Sequence, residues 1–367
     1  MLLLNRIFCM FDKIFSIFSH DIGIDLGTAN TLVWVKGKGI VIREPSVVAM
    51  HKKTKKVIAI GSEAKRMVGK TPANIITVRP LKGGVISDFD ATAAMISHYI
   101  QQVHEVGKSI PAFSRPRVVI GIPSSVTEVE RRAVWEAALS AGARQAYLIE
   151  EPMAGAIGEE VSVFSPTGVM VVDIGGGTTE IAVISLGGIV VSRSLRLAGD
   201  DMDHAISHYI RLRHGLLIGE RTAEELKLKI GSAYVVKQKS KTKEDGDQEK
   251  MAVIRGRDIE TGLPKSLRIT EVEVREALSP VVSQIIDAIG DVLEDAPPEL
   301  TSDILEHGIL LTGGGSLLWG LDHLIVERTH IPVVKSSDPL TSVVRGTGKV
   351  LNDDSLLERV KVIGGLK

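Results

Sequence analysis

An internal repeat constrains the fold of this 367-residue chain more than any other feature. The sequence IGIDLGT at residues 22–28 resembles VDIGGGT at residues 172–178. In both, an apolar stretch ends in aspartate, glycine and threonine follow, and a second apolar stretch begins. The two aspartates, Asp25 and Asp173, are roughly 150 residues apart, which is about the length of one domain. The sequence therefore predicts two copies of one fold that face each other.

Apolar stretches with strand character alternate with helical patterns along the chain, which predicts an α/β architecture. A three-strand meander is expected over residues 169–173, 181–185 and 189–195. Helices are expected over residues 88–106, 127–139, 271–293 and 316–327. The second of these helices would begin with a capping box from Thr127 to Glu130, and the third is either continuous or broken at Pro280.

Charge and cysteine content exclude several classes of protein. The chain carries 44 Lys and Arg against 45 Asp and Glu, a net charge of −1, which is not the composition of a nucleic-acid coat protein. No nucleic-acid partner is therefore expected. Its single cysteine, Cys9, excludes an internal disulfide framework and a multi-cysteine metal site. The charged run at residues 237–250 is expected to be a solvated loop.

The two repeated turns have the composition of a phosphate-binding site. Glycine lets the backbone approach a ligand closely, so that its N–H groups can point at an anion, and threonine adds a hydroxyl donor. The aspartates Asp25 and Asp173 cannot bind phosphate directly, but they can hold a hydrated Mg²⁺ that bridges to it. Two such turns from two domains would clamp a polyphosphate between them.

Two further segments have more than one interpretation. The glycine cluster TGGGS at residues 312–316 either carries a nucleoside or phosphate at a helix start or is a tight turn without a ligand. Glu151, which precedes Pro152, either caps a helix or orients a water for attack on a γ-phosphate. The chain contains neither the P-loop motif nor a Rossmann glycine motif after its first strand.

The first 20 residues have an amphipathic helical pattern. On a helical wheel, one half is almost entirely apolar and rich in phenylalanine, while Asp12 and Lys13 would not be tolerated in the middle of a membrane span. A helix lying flat in the membrane interface is favoured, and a helix packed on the protein's own core is the alternative. The predicted membrane-facing side chains are Leu4, Ile7, Phe8, Phe11, Ile14, Phe15 and Phe18.

These motifs together resemble the MreB family of bacterial actin-like cell-shape proteins. The resemblance rests on GTANTLV at residues 27–33, IEEPMAGAIG at 149–158, VVDIGGGTTE at 171–180, GERTAEELK at 219–227 and LLTGGGSLLWGL at 310–321. It runs in unbroken order from about residue 21 to residue 351. The resemblance implies an actin-like ATPase fold, with two duplicated ribonuclease-H-like lobes around a nucleotide cleft. The first lobe would span residues 21–161 with a small insert at about 49–81, and the second 162–333 with an insert at about 198–262. Residues 334–367 would return to the first lobe.

The resemblance also implies a set of site residues for ATP and Mg²⁺. The implied catalytic pair is Glu151, which would position the attacking water, and Thr178, which would help it. The implied water-mediated metal ligands are Asp25 and Asp173. The implied ATP-binding residues are Gly27, Thr28, Ala29, Asn30, Gly175, Gly176, Gly177, Thr178, Glu220, Arg221, Thr222, Ala223, Glu224, Lys227, Gly313, Gly314, Gly315, Ser316 and Leu317.

The family's biology supplies the remaining expectations. Members hydrolyse ATP slowly, and their subunits polymerise into double filaments on the inner face of the cell membrane. These filaments direct peptidoglycan synthesis together with membrane proteins of the elongation machinery. A small apolar loop is a second membrane contact in the family, and here Ile110 and Phe113 stand in the corresponding place. The alternatives are an Hsp70-like chaperone or a sugar kinase. The chain ends within about fifty residues of the third glycine cluster, which leaves no room for a chaperone's substrate domain.

Overall fold

The computed structural model of this chain describes residues 19–106, 115–234 and 250–362. Over these ranges, strands and helices alternate along the chain, as the sequence predicts. The strands are β1 (Ile22–Leu26), β2 (Asn30–Val35), β3 (Gly39–Pro45), β4 (Val48–His51), β5 (Val57–Ile60), β6 (Ile75–Val78), β7 (Leu81–Lys82), β8 (Val85–Ile86), β9 (Arg117–Ile122), β10 (Gln145–Glu150), β11 (Val169–Ile174), β12 (Thr179–Ser185), β13 (Gly188–Leu195), β14 (Leu216–Leu217), β15 (Met251–Asp258), β16 (Pro264–Thr270), β17 (Ile309–Thr312) and β18 (Val333–Lys335).

Two five-stranded sheets have the same topology, which confirms the duplication predicted from the repeat. Their strand orders are β10-β9-β1-β2-β3 and β18-β17-β11-β12-β13. In each sheet the central strand carries the repeated aspartate, and it pairs antiparallel with the next strand along the chain. On its other side it pairs parallel with a strand that comes much later, β9 in the first lobe and β17 in the second. Corresponding strands therefore bring Asp25 and Asp173 to equivalent places in the two lobes.

Helices cover the sheets, and each lobe carries an insert with a three-stranded antiparallel sheet. The insert of the first lobe has the order β5-β4-β6, and that of the second has β14-β15-β16. The helices are α1 (Ser62–Met67), α2 (Phe89–Val106), α3 (Glu128–Ser140), α4 (Glu151–Gly158), α5 (Gly199–His214), α6 (Glu220–Ile230), α7 (Glu271–Asp295), α8 (Pro298–His307), α9 (Leu321–Thr329), α10 (Ser342–Asn352) and α11 (Asp354–Val360).

The lobes are joined by the close packing of α4 and α10. These helices share a buried cluster with strands of both sheets, including Val119 of β9 and Val171 of β11. Small residues allow the approach, since a side chain at Gly346 would overlap the backbone of Ala154. This cluster separates one apolar core in the first lobe from another in the second. The chain thus forms two packed lobes that meet along one shared seam.

The structure decides between the two alternatives at Pro280 and corrects the start of one helix. Helix α7 runs through Pro280 without a break, because apolar residues before and after the proline are buried against β12 and β13. This packing outweighs the cost of about 3 kcal/mol that an internal proline carries. The helix expected over 316–327 begins only at Leu321, because Gly320 adopts a left-handed conformation with φ 76°. A short 3-10 turn over Gly314–Leu317 precedes it.

Other local predictions are confirmed or lie outside the described ranges. Thr127 and Glu130 form the predicted capping box at the start of α3. Every helix within residues 19–106, 115–234 and 250–362 is too short or too polar to span a bilayer. The predicted interfacial helix, the apolar loop with Ile110 and Phe113, and most of the charged run at 237–250 lie outside the described residues.

Candidate functional site

The two repeated turns touch each other across the junction between the lobes. A Cβ atom placed on Gly176 would lie 2.5 Å from the Cβ of Ala29, and one placed on Gly177 would lie 2.7 Å from the Thr28 Cγ2. Real side chains do not approach so closely, so only glycine allows this contact. The structure therefore brings the first and second predicted phosphate turns together at one place.

Each turn is held by backbone hydrogen bonds that use its carbonyl groups. In the second turn, the Gly175 N–H donates to the Thr178 carbonyl oxygen (2.8 Å), which closes the hairpin between β11 and β12. The N–H groups of Gly199 and Asp200, at the start of α5, donate to the carbonyl oxygens of Gly175 (3.2 Å) and Gly176 (2.7 Å). The start of α5 therefore fixes the second turn in place.

Gly84 is part of this junction and is not among the site residues predicted from the sequence. Its N–H donates to the Thr28 Oγ1 (3.2 Å), and a Cβ atom there would lie 2.7 Å from the Thr178 Cγ2. Gly84 therefore sits between the threonines of the two turns. It follows Gly83 between the short strands β7 and β8, and this Gly-Gly pair was a turn signal in the sequence.

The two repeated aspartates lie on the central strands of the two five-stranded sheets. Neither Asp25 nor Asp173 has a hydrogen bond or ion pair to its side chain within the described residues. Burial raises the pKa of Asp25 to about 7. Burial, and then the nearby charges of Asp25 and Glu180, raise the pKa of Asp173 to about 8. Two buried carboxylates close to each other favour the binding of a cation at this place.

Glu151 lies beside the same carboxylates, in the first turn of α4. Its pKa is raised well above the usual range, first by burial and then by the charges of Glu180, Asp25 and Asp173. The interpretation of Glu151 as a helix cap is wrong, because the capping position is Glu150, whose side chain makes no capping hydrogen bond. A carboxylate with a raised pKa in such a place suits proton transfer near neutral pH.

The third glycine cluster packs against the second turn. Gly313 has φ 81°, and a side chain there would overlap the carboxyl group of Asp173 and the backbone of Ile174. The Ser316 hydroxyl donates to the Gly313 carbonyl oxygen (2.6 Å), while Leu317 is exposed. Gly314, Gly315 and Ser316 of the cluster themselves form a 3-10 turn, and the next α-helix begins only at Leu321, so the predicted helix N-terminus is not adjacent to the cluster.

The predicted residues on α6 differ in their surroundings. Lys227 reaches the start of α5, where its Nζ contacts the Asp203 carboxylate (2.9 Å) and the Gly199 carbonyl oxygen (2.7 Å). Ala223 is buried, whereas Arg221 is exposed and pairs with Glu225 of the same helix. The Thr222 N–H donates to the Gly219 carbonyl oxygen in the first turn of the helix.

Glu220 and Glu224 of α6 form ion pairs with the insert of the first lobe and the segment after it. The Lys65 Nζ lies 3.0 Å from the Glu224 carboxylate. Arg79 pairs with Asp200 (2.9 Å) and with Glu220 (3.4 Å). Sequence reasoning missed Lys65, Arg79 and Asp200, because nothing near them in the chain marks a partner more than a hundred residues away. These pairs link the first lobe to the second.

The family model and the curated relatives that match this chain belong to one family. A family model described as MreB/Mbl protein matches residues 19–359. The chain is 51% identical over 346 residues to the cell shape-determining protein MreB of Escherichia coli (strain K12), which covers 93% of this chain and 96% of that protein. It is 48% identical over 345 residues to the cell shape-determining protein Mbl of Bacillus subtilis (strain 168), which covers 94% of this chain and 99% of that protein.

Solved structures have the same fold. The crystal structure of MreB5 of Spiroplasma citri bound to ADP superposes with a TM-score of 0.84 at 37% identity, over 93% of this chain and 98% of that one. The MamK double helical filament superposes with a TM-score of 0.73 at 23% identity, over 91% of this chain and 99% of that one, and this similarity concerns the fold alone.

Proposed function

The chain belongs to the MreB/Mbl family, and we propose that it is an ATP-binding, actin-like cytoskeletal protein whose filaments direct cell shape and peptidoglycan synthesis. The relatives are named cell shape-determining proteins, MreB5 has been solved with both ADP and AMPPNP, and MamK forms a double helical filament. The observation that carries the proposal is the contact between the two glycine turns, Gly176 on Ala29 and Gly177 on Thr28. A ligand held there touches both lobes at once.

The nucleotide would bind between the lobes with its phosphates at the two turns. Residues 27–30 and 175–178 would surround the triphosphate with threonine hydroxyls and with backbone N–H groups other than that of Gly175, which donates to the Thr178 carbonyl oxygen. Residues 220–227 and 313–317 would line the nucleoside, because both segments lie near the second turn. Lys227 contacts Gly199, which is hydrogen-bonded to that turn, and Gly313 lies against Asp173 at its start. Because these groups come from both lobes, nucleotide binding would hold the lobes in one relative position, and a fixed subunit shape favours assembly.

The donor set between the turns fits Mg²⁺. Asp25 and Asp173 are carboxylates without another partner in the described part of the chain, and Mg²⁺ is usually bound by one or two carboxylates with water and phosphate oxygens. The two side chains would hold the ion through water. Bound there, the ion would neutralise phosphate charge.

Nucleotide-free protein is expected to lose stability as the pH rises from about 5 to about 8. Asp25 and Asp173 have pKa values of about 7 and about 8 in the folded chain, against about 3.9 for an unfolded aspartate. The folded state therefore binds more protons in this range, so the contribution of these groups to stability is lost as they ionise. Thermal unfolding with EDTA at pH 5.5 and pH 8 measures the change. Asp173→Asn should flatten the pH dependence, and an identical slope in that variant would contradict the assignment.

Glu151 and Thr178 are proposed to act in slow ATP hydrolysis. Glu151 would accept a proton from the attacking water, and Thr178, which contacts Gly84 in the same junction, would help to orient that water. Assembly would bring the lobes into the arrangement in which this water is correctly placed. Hydrolysis would thus be coupled to filament formation.

Attachment to the inner face of the cell membrane is proposed for two segments that leave the described fold side by side. The Ser19 hydroxyl accepts a hydrogen bond from the Arg115 N–H (2.8 Å), so residues 1–18 and 107–114 both join the first lobe at this point. The amphipathic pattern of the first segment and the apolar Ile110 and Phe113 of the second could then enter one membrane patch. Two weak contacts on each of many subunits give strong attachment to a membrane through avidity. Membrane proteins of the elongation machinery would be met on the same surface.

Deleting residues 2–18 is expected to reduce liposome binding by at least about 10-fold while ATP-dependent assembly is retained. The deletion stops before Ser19 and so preserves its hydrogen bond with Arg115. Co-sedimentation with anionic vesicles measures binding, and pelleting without lipid measures assembly. A Phe11→Ser, Phe15→Ser variant of full length serves as a matched control and should behave like the deletion. Undiminished vesicle binding of both would contradict the proposal.

The overall function is tested by ATP-dependent sedimentation and electron microscopy of the purified protein on lipid. We expect a threshold concentration above which protein pellets with ATP and forms paired filaments on the bilayer. Monomeric protein at all concentrations, together with sugar-stimulated release of ADP, would contradict the filament proposal and favour a small-molecule kinase.

A further inference from the structure

Basic side chains of the first lobe reach across to acidic side chains of the second. Lys65, on α1 in the insert of the first lobe, has its Nζ 3.0 Å from the Glu224 carboxylate of α6. Arg79, which directly follows β6, pairs with Asp200 at the start of α5 (2.9 Å) and with Glu220 of α6 (3.4 Å). The bases of these pairs come from one lobe and the acids from the other. We call these five residues the interlobe latch.

Arg79 connects the latch to the junction of the two turns. The N–H of its partner Asp200 donates to the Gly176 carbonyl oxygen (2.7 Å), so Arg79 holds a residue that itself fixes the second turn. The Ser87 hydroxyl donates to the Arg79 carbonyl oxygen (3.0 Å), which ties the backbone of Arg79 to the segment before α2. Gly84, between Arg79 and Ser87 in the chain, lies in the junction itself. The latch and the proposed phosphate site are therefore parts of one contact region between the lobes.

The seam between α4 and α10 determines how the lobes can separate. Side chains at Gly158 and Gly346 would overlap the backbone of the facing helix, so these two helices are in close contact. Neither insert contributes a described residue to the buried cluster at this seam. We therefore expect the cleft to open by rotation of one lobe about the seam, which moves the inserts apart. Such a rotation breaks the pairs of the latch.

The pairs of the latch are weak enough to open and close. The side chains of Lys65 and Glu224 are 41% and 35% exposed, and those of Arg79 and Asp200 are 34% and 26% exposed. Water reaches all four side chains, so their separation leaves no charge buried without a partner. Partly exposed pairs of this kind contribute little each and are screened by salt. They suit a reversible contact rather than a permanent part of the core.

We propose that the interlobe latch sets the lifetime of the bound nucleotide, because the lobes open and release it only after these pairs separate. This inference rests on the proposed function, which places the nucleotide between the lobes. Glu220 and Glu224 belong to the segment that is expected to line the nucleoside, so the latch closes over that side of the site. A nucleotide must pass the same contact to enter. The latch therefore slows binding and release together and changes affinity less.

Release of a fluorescent ADP analogue, chased with unlabelled ADP at a protein concentration too low for assembly, measures this lifetime. We expect Lys65→Met, which keeps the aliphatic chain and removes the charge, to speed release by about 2- to 5-fold. Arg79→Met removes two pairs and should speed release by about 3- to 10-fold. In both variants binding should also become faster, so that the dissociation constant changes by less than about 2-fold. Lys65→Arg keeps the charge and should release the analogue at close to the wild-type rate.

Two further measurements test the pairing itself. Lys65→Met should have no added effect in a Glu224→Gln background, because the partner of Lys65 is already neutral. Raising the salt concentration from about 0.1 M to about 1 M shortens the Debye length from about 10 Å to about 3 Å, and it should speed release from the wild type several-fold. The variant that combines Lys65→Met with Arg79→Met should respond to salt much less.

Arg66→Met is the matched control. Arg66 is exposed on the same helix as Lys65 and forms no ion pair with another residue of the described ranges, so its replacement should leave release unchanged. Wild-type release rates in both Lys65→Met and Arg79→Met would overturn the inference. So would equal acceleration in Arg66→Met, which indicates a general effect of charge, or a dissociation constant that rises as much as the release rate, which indicates direct contact with the nucleotide. If Arg79→Met does not fold, a wild-type rate in Lys65→Met overturns the inference alone.

The proposed function can fail separately. If the wild type binds the ADP analogue and the variants release it at the wild-type rate, only the role of the latch is wrong. If the wild type does not bind the analogue, the proposed nucleotide site is wrong and the role of the latch falls with it.

Discussion

Replacing Gly176 by alanine is expected to weaken ATP binding by about 10- to 100-fold. The new Cβ atom would lie 2.5 Å from the Cβ of Ala29 and 3.1 Å from its backbone nitrogen, so the two turns must move apart. Overpacking of this kind costs about 1 to 3 kcal/mol, and each 1.4 kcal/mol corresponds to about a tenfold change in affinity. Because backbone N–H groups of both turns are expected to surround the phosphates, a separation of the turns by a few tenths of an ångström weakens their hydrogen bonds to the nucleotide.

Titration with a fluorescent ATP analogue in the presence of Mg²⁺ measures the loss. Gly290→Ala is the matched control, since no atom lies within 4 Å of the position of its new Cβ in α7. That change should leave nucleotide affinity unchanged and stabilise the helix slightly. Equal affinity of Gly176→Ala and the wild type would mean that the nucleotide is not held between the turns.

Replacing Glu151 by glutamine is expected to slow ATP hydrolysis by about 100- to 10,000-fold, the usual contribution of a general acid or base. The substitution preserves the shape of the side chain at the start of α4 and removes its capacity to accept a proton. Nucleotide binding and assembly should persist, because the turns around Thr28 and Gly177 are untouched. Filaments of this variant should therefore accumulate in the ATP-bound state.

Phosphate release per filament subunit, measured alongside sedimentation, separates hydrolysis from assembly. Glu150→Gln is the control, because the neighbouring carboxylate lies at the capping position of the same helix, and it should change the rate much less. If Glu151→Gln hydrolysed ATP at the wild-type rate and Glu150→Gln hydrolysed it slowly, Glu150 rather than Glu151 would be the proton acceptor.

The fold was predictable because its decisive signals are local. The repeated aspartate-glycine-threonine pattern marks the centre of each sheet, and the strand orders around Asp25 and Asp173 are the same. Capping at Thr127 needs only a residue three positions away, and it was found from the sequence. The sequence left a break at Pro280 open because burial of α7 against β12 and β13 is a property of the folded chain that the pattern of that segment does not contain.

The candidate site was predictable only where its residues belong to motifs. The glycine turns were found, but the structure adds Gly84 between Thr28 and Thr178, and the ion pair of Lys65 with Glu224 across the lobes. Glu180 lies two residues after the second turn, yet its hydrogen bond with Ser124 joins residues of different lobes. Contacts of this kind depend on how the two copies of the fold face each other, which neither copy specifies by itself.

The proposed function requires that one nucleotide–magnesium unit is held between the two repeated turns of different lobes. A crystal structure of this chain with AMPPNP and Mg²⁺ would show whether it is. We expect the phosphates between residues 27–30 and 175–178, with the waters of the metal on Asp25 and Asp173. A nucleotide bound elsewhere, or on one lobe only with the other turn out of contact, would refute this arrangement.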